Sequence, residues 1–167
     1  LDKAGPQLKA MILLGVNCGL GNSDVGQLPI AAVDLKAGWV NYPRPKTAVE
    51  RRCPLWPQTV KALKAVLAKR AARKDPAHEG LVFITKYGGS WAKDSRDNPI
   101  AAETRKLLRE VGIVRDGLAF YGLRRTFETV AGETIDQVAV DFIMGHSPHV
   151  NDMASVYRQR ITEDRLK

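Results

Sequence analysis

The chain has few cysteines and no long apolar segment, and each shortage excludes a class of protein. Cys18 and Cys53 are the two cysteines among 167 residues, too few for a disulfide framework, and no CxxC pair indicates structural zinc. The longest apolar run, residues 11–16, is far shorter than the roughly 20 residues that cross a bilayer. No signal-peptide pattern opens the chain. We therefore expect a cytoplasmic protein in a reducing compartment, with no membrane partner.

Motifs for nucleotide and metal chemistry are scarce as well. The segment Gly19-Leu20-Gly21 follows no predicted strand and precedes no Walker lysine, so it does not predict a nucleotide loop. The three histidines, at positions 78, 146 and 149, are too scattered for a metal site. We therefore expect no cofactor and no metal.

What the sequence has in excess is positive charge, with a net charge of +8 and a pI near 9.7. Residues 36–74 carry 11 Lys and Arg against one acid, Glu50, and the rest of the chain sums to −2. Such a block attracts polyanions, among them nucleic acid, phosphoinositides and acidic protein partners. A solvated face that keeps the protein in solution is the alternative explanation.

Hydrophobic spacing predicts an α+β fold in a single domain, residues 1–167. Helical periodicity marks about the first 15 residues and segments that begin near Asn22, Pro57, Pro99, Leu123 and Thr134, with Asn98 and Thr134 as N-caps. Three short strands are predicted within residues 33–35, 39–42 and 49–55. Together these elements predict a mainly helical body with a small three-stranded antiparallel sheet. A last short helix is predicted over residues 153–157.

Three stretches in the second half carry side chains suited to chemistry. They are YGLRRTF (residues 121–127), MGHS (residues 144–147) and MASVYRQR (residues 153–160). Taken singly, Arg124 has an alternative explanation as a surface arginine of a helix, and Tyr157 as a surface tyrosine. Gly145-His146 is equally explained as a helix C-terminal cap.

Taken in order, these stretches resemble the catalytic domain of tyrosine recombinases, the phage integrase family. Residues 44–55 (RPKTAVERRCPL) resemble the strand–turn–strand that carries the catalytic lysine of that family, and the resemblance covers nearly the whole chain. It implies that a tyrosine attacks a DNA phosphodiester, forms a 3′-phosphotyrosyl link and releases a 5′-hydroxyl. A second DNA strand later reverses the step. It also implies double-stranded DNA as the partner, no cofactor, and a nucleoid-associated protein of a mobile element.

The resemblance assigns a role to each matching residue. Tyr157 is the nucleophile, and Arg124 clamps the phosphate with its planar fork. His146 holds a non-bridging oxygen or assists the charge balance, and Lys46 protonates the leaving 5′-oxygen. Tyr121 stands where the family usually has histidine, and it can donate a hydrogen bond to phosphate. Further residues predicted to contact DNA are Arg44, Arg51, Arg52 and Arg125.

One departure from the family pattern concerns the first catalytic arginine. The family places it just after the first long helix, in a G-L-R-x-S-E type segment, and here residues 19–24 read GLGNSD. Gly21 thus occupies the position of the family's arginine, while Asp24 occupies the position of its acidic residue. One oxyanion donor is worth about 3–4 kcal/mol, so we expect weakened or lost cleavage. Other side chains could replace the missing phosphate contact, among them three arginines and two asparagines: Arg44, Arg51, Arg125, Asn17 and Asn22. Alternatively, the alignment of this glycine-rich stretch with the family pattern is off by a few residues.

Three functions stay open on the sequence alone. The first is a site-specific recombinase with full or weakened activity, and the second is a catalytically degenerate, recombinase-derived DNA-binding protein. The third is a basic protein-interaction domain without a nucleic-acid role. Family members clamp DNA with a separate N-terminal core-binding domain, for which this chain, beginning at Leu1, has no room. We therefore expect a C-terminal fragment that binds DNA weakly alone and self-associates on DNA in the full-length protein.

Overall fold

The computed structural model describes residues 1–72, 74–93, 98–147, 152, 153, 155 and 160–167. The helices are α1 (Pro6–Cys18), α2 (Asn22–Gly26), α3 (Pro57–Ala68), α4 (Pro99–Glu110), α5 (Tyr121–Gly132), α6 (Gln137–Met144) and α7 (Glu163–Leu166). The strands are β1 (Val33–Asp34), β2 (Trp39–Asn41) and β3 (Arg52–Pro54), which form one antiparallel sheet in the order β1-β2-β3. The α+β prediction is confirmed. The helix predicted over residues 153–157 falls largely outside the described residues.

Helix α1 lies in the core and packs against both α3 and α5. Its side chains are buried on most of its circumference, with Met11 and Leu14 fully enclosed. Gly15 lets α5 approach closely, because a Cβ at this position would lie 3.0 Å from Leu123 Cδ1. Helix α1 ends at Cys18, and Gly19 caps it with a φ of 61°, the left-handed conformation that commonly closes a helix. Although α1 is apolar, no described helix is long and apolar enough to cross a membrane.

The β2–β3 hairpin extends beyond its strands toward a tight turn. Val40 pairs with Val33 on one side and with Cys53 on the other, and these apolar residues face the core. Beyond the sheet, the Tyr42 N–H donates to the Arg51 carbonyl (3.2 Å) and the Arg44 N–H to the Val49 carbonyl (2.9 Å). The strands are therefore shorter than predicted, but the hairpin continues to the turn that carries Lys46.

The N-terminal caps of α4 and α6 test two predictions made from the sequence. Asn98 caps α4 as predicted, since its side chain accepts from the N–H groups of Ile100 (3.0 Å) and Ala101 (3.2 Å). The predicted cap of α6 at Thr134 is wrong. The Asp136 carboxylate accepts from Ala139 N–H (3.1 Å), and the Thr134 hydroxyl instead donates to the Ala131 carbonyl at the end of α5 (2.7 Å).

Candidate functional site

Arg124 lies on α5 and is buried, with 3% of its surface exposed. Its Nη1 donates to the Gly19 carbonyl (2.6 Å) and its Nη2 to the Met144 carbonyl (2.9 Å). The guanidinium therefore joins the end of α1 to the end of α6. Burial above all, followed by the nearby charge of Arg44, lowers the pKa of Arg124 below its ordinary value. The alternative of a surface arginine is wrong for this residue.

His146 links Arg124 to a carboxylate on α6. Its Nε2 lies 3.1 Å from Arg124 Nη2, and its Nδ1 lies 3.0 Å from Asp141 Oδ1. Arginine can only donate, so Nε2 of the imidazole must accept and Nδ1 must carry the hydrogen that is donated to Asp141. The ring is thereby fixed between a guanidinium and a carboxylate.

The end of α6 explains how the chain brings His146 over Asp141. Gly145 has a φ of 64°, its N–H donates to the Phe142 carbonyl (3.2 Å), and the His146 N–H donates to the Asp141 carbonyl (2.9 Å). This Schellman arrangement folds His146 back over the last turn of the helix. Asp141 was not predicted from the sequence. The signal for it was an acid five residues before a histidine that follows a helix-ending glycine.

Arg124 forms part of the lining of a cleft of 420 Å³ between α2, α5 and the β2–β3 hairpin. The lining contains four cationic side chains: Arg44, Lys46, Lys93 and Arg124. The carboxylate in the lining, Asp24, is already paired with Arg51 through Nη1 to Oδ2 and Nη2 to Oδ1, both at 3.2 Å. Positive charge therefore dominates the cleft and makes it a site for an anion. Among the described residues, no three His, Cys, Asp or Glu side chains converge as metal ligands do.

Tyr121 and Gly21 are neighbours in the lining of this cleft. Tyr121 begins α5 and is 49% exposed, and the Arg125 guanidinium lies 5.7 Å from its ring centroid. A Cβ on Gly21 would lie 3.5 Å from Asp24 Oδ2 and 3.9 Å from the Tyr121 ring, which is ordinary contact. Position 21 thus has room for a Cβ atom and carries none.

The residues predicted to contact DNA divide between two places. Arg44 lines the cleft and Arg125 lies beside it on Tyr121. Arg51 is instead buried against Asp24, and Arg52 stacks on Trp39 at 4.2 Å from the ring centroid, away from the cleft lining. Lys93 was not predicted as a site residue, and the net positive charge of the chain is the only sequence feature that relates to it. Tyr157, the predicted nucleophile, lies outside the described residues.

Solved structures that resemble this fold are recombinases and integrases. The Tn1549 transposon integrase in complex with circular intermediate DNA has a TM-score of 0.73 at 18% identity, covering 98% of this chain and 59% of that chain. The XerA recombinase has a TM-score of 0.70 at 22% identity, covering 93% and 58%. A lambda integrase dimer bound to a COC′ core site has a TM-score of 0.67 at 15% identity, covering 94% and 43%. No curated protein matches the chain.

The fold is therefore that of the tyrosine recombinase catalytic domain. The model of the phage integrase family matches residues 2–162, and the chain belongs to that family. The chain spans 43–59% of the length of the three structures named above.

Proposed function

We propose that this chain is the catalytic part of a site-specific recombinase, which cleaves and rejoins DNA strands through a 3′-phosphotyrosyl intermediate. The observation that carries the proposal is the cleft, in which Lys46 and Arg124 line one cationic site although they are far apart in the chain. Membership of the phage integrase family supports it. So do related folds that were solved in complex with DNA.

In the proposed cleavage step, the phenolic oxygen of Tyr157 bonds to phosphorus and the bond from phosphorus to the 5′-oxygen breaks. The phenol releases its proton to water, and Lys46 gives a proton to the leaving 5′-oxygen, so the proton count balances. The 5′-hydroxyl of a second strand then attacks the phosphotyrosine and reverses the cleavage step. The exposed position of Lys46 on the hairpin turn suits a group that must reach the leaving oxygen.

The transition state concentrates negative charge on the non-bridging phosphate oxygens, and fixed donors must stabilise it. Arg124 is fixed by the Gly19 and Met144 carbonyls and by His146 before DNA arrives. A guanidinium held in this way needs no reorganisation during the reaction, which is the condition for effective electrostatic stabilisation. In this proposal, Asp141 is a positioning residue that acts on the phosphate site through His146.

A covalent trap tests the proposal. Nicked duplexes with randomised sequence around the nick lose a short fragment after cleavage, so religation is prevented and the protein–DNA adduct accumulates. We expect an adduct on a denaturing gel from the unchanged chain and none from Tyr157→Phe, which lacks only the hydroxyl. An adduct that persists in Tyr157→Phe would overturn Tyr157 as the nucleophile.

Gly21 favours a second candidate, a catalytically degenerate recombinase that binds DNA without cutting it. The observation behind it is that position 21, which the family resemblance matches to an arginine, carries no side chain in the lining of the cleft. This candidate predicts that duplex DNA is bound at about 0.1 M salt while no adduct forms with any nicked duplex. A chain that neither cuts nor binds DNA would instead favour a basic protein-interaction domain.

A further inference from the structure

Arg44 and Arg124 each hold a carbonyl at the end of α6. Arg124 Nη2 donates to the Met144 carbonyl, and Arg44 Nη1 donates to the next one, that of Gly145, at 3.4 Å. The stem of Arg44 packs on this glycine, since a Cβ on Gly145 would lie 3.0 Å from Arg44 Cβ and 3.4 Å from Arg44 Cδ. The two guanidinium groups are thus anchored on consecutive carbonyls and line the same cleft.

Both groups keep donors available for an anion. Within the described part of the chain, Arg44 uses one of its five N–H groups, and Arg124 uses three. The charge of Arg44 is one of the causes that lower the pKa of Arg124, so the two cations repel each other. An anion between them would relieve this repulsion and would accept hydrogen bonds from both.

The other basic residues near the cleft are less suited to act with Arg124. Arg51 is committed to the buried Asp24 carboxylate. Arg125 is exposed and stacks on Tyr121, and Lys93 is an exposed lysine with a single ammonium instead of a planar fork. Arg44 is half-buried, donates to the carbonyl that follows α6, and lines the cleft.

We propose that Arg44 is a catalytic residue that contacts the scissile phosphate together with Arg124 and supplies the positive charge that Gly21 does not. This inference rests on the proposed cleavage of DNA. It assigns the second fixed cation to the hairpin turn instead of the α1–α2 connection, both of which line the cleft. The hairpin would then deliver two groups to one phosphodiester, Arg44 to a non-bridging oxygen and Lys46 to the leaving oxygen.

The test compares adduct formation on the nicked duplexes by the unchanged chain, Arg44→Gln, Arg44→Lys, Gly21→Arg and Gly21→Arg/Arg44→Gln. Gln keeps the stem that packs on Gly145, and the unfolding midpoint of each variant verifies that it is folded. We expect Arg44→Gln to slow adduct formation by about 10²–10³-fold, and Arg44→Lys by less. Gly21→Arg/Arg44→Gln should recover to within about tenfold of the unchanged chain, because position 21 then supplies the missing cation. Arg109→Ala, an exposed arginine in the last turn of α4, should match the unchanged chain.

A neutral phosphate separates a charge contact from a structural role. On a duplex with a methylphosphonate at the scissile position, Arg44→Gln should cleave within about tenfold of the unchanged chain, since the charge it would balance is gone. The proposal would be overturned if Arg44→Gln were slowed equally on the methylphosphonate and on the normal duplex, and if adding Gly21→Arg did not restore the rate.

Failure of the inference is distinguishable from failure of the proposed function. An unchanged rate in Arg44→Gln, with Tyr157→Phe inactive, overturns Arg44 as a catalytic residue and leaves the recombinase standing. Absence of adduct from the unchanged chain and from Gly21→Arg overturns both.

Discussion

Arg51 and Arg52 are adjacent in the sequence, and the structure gives them opposite environments. The Arg51 side chain is 3% exposed and pairs with Asp24, whose side chain is 11% exposed. The Arg52 side chain is 36% exposed and pairs with Glu163, which is 48% exposed, at 2.6 Å. Because successive side chains of a strand point to opposite faces, one arginine enters the core side while the other lies on the outside.

The first prediction concerns the coupling within the buried pair. Asp24→Ala or Arg51→Ala alone leaves a buried charge unpaired, and each should lower the free energy of unfolding by about 3–5 kcal/mol. The double variant should lose far less than the sum, which gives a coupling energy of about 2 kcal/mol or more. Urea unfolding of the four proteins measures it.

Arg52 and Glu163 provide the matched control for that cycle. The corresponding alanine variants of this exposed pair should give a coupling energy below about 1 kcal/mol, because water screens the interaction. Equal coupling energies in the two pairs would contradict the assignment of Arg51 to a structural role in the core.

At the level of single residues, family resemblance singled out Arg124, His146 and Lys46 as candidate site residues, but their environments could not be predicted from the sequence. The acceptors of Arg124 come from Gly19 and Met144, which are distant in the chain and offer backbone carbonyls. A backbone carbonyl leaves no mark in a sequence. For this reason the sequence does not distinguish a buried arginine with three hydrogen bonds from an exposed one.

At the level of elements, the sequence pattern predicted α1 to α6 to within a few residues, because the signal is local to each of them, whereas α7 was not predicted. The boundaries were less certain where two residues competed for one role. Thr134 and Asp136 are both good N-caps, two positions apart, and Ile135 between them adopts a φ of 62° as the chain reverses. That reversal assigns Thr134 to the end of α5 and Asp136 to the start of α6, a choice that no local pattern contains.

The second prediction compares the glycines that end α4 and α6. Gly112 and Gly145 have φ values of 77° and 64° in the same hydrogen-bonding motif, but a Cβ on Gly112 would meet nothing within 4 Å. Gly112→Ala should therefore cost about 1–2 kcal/mol for the left-handed conformation alone. A Cβ on Gly145 would lie 3.0 Å from Arg44 Cβ and 3.2 Å from Arg51 Cδ.

Gly145→Ala should cost at least about 1 kcal/mol more than Gly112→Ala, because Arg51 is held by its buried ion pair and cannot withdraw. Urea unfolding at one temperature compares the two variants directly. Equal losses would show that the hairpin is not pressed against the end of α6, and would weaken the anchoring described for Arg44.

At the level of the whole molecule, the structure places cations of the basic block, residues 36–74, in two separate depressions of the surface. Arg44 and Lys46 line the cleft together with Arg124, whereas Lys61 and Lys64 line a separate depression between α3 and the β1–β2 turn. The sequence predicted the excess of positive charge. It could not show that the charge is separated in space, because the hairpin and α3 follow one another directly in the chain. If the cleft is the DNA site, the two parts of the block contribute unequally to binding.

The last prediction uses this division, with two double variants that remove the same charge. Each DNA phosphate neutralised by a cation contributes about −0.9 to the slope of log affinity against log salt concentration. Lys46→Ala/Lys93→Ala should make the slope shallower by about 0.9 for each phosphate that is no longer neutralised, whereas Lys61→Ala/Lys64→Ala should leave it unchanged. Fluorescence anisotropy of a labelled duplex, titrated at several salt concentrations, gives both slopes. If the α3 variant has the shallower slope, the cleft is not the main DNA-binding surface, and the basic face of α3 takes its place.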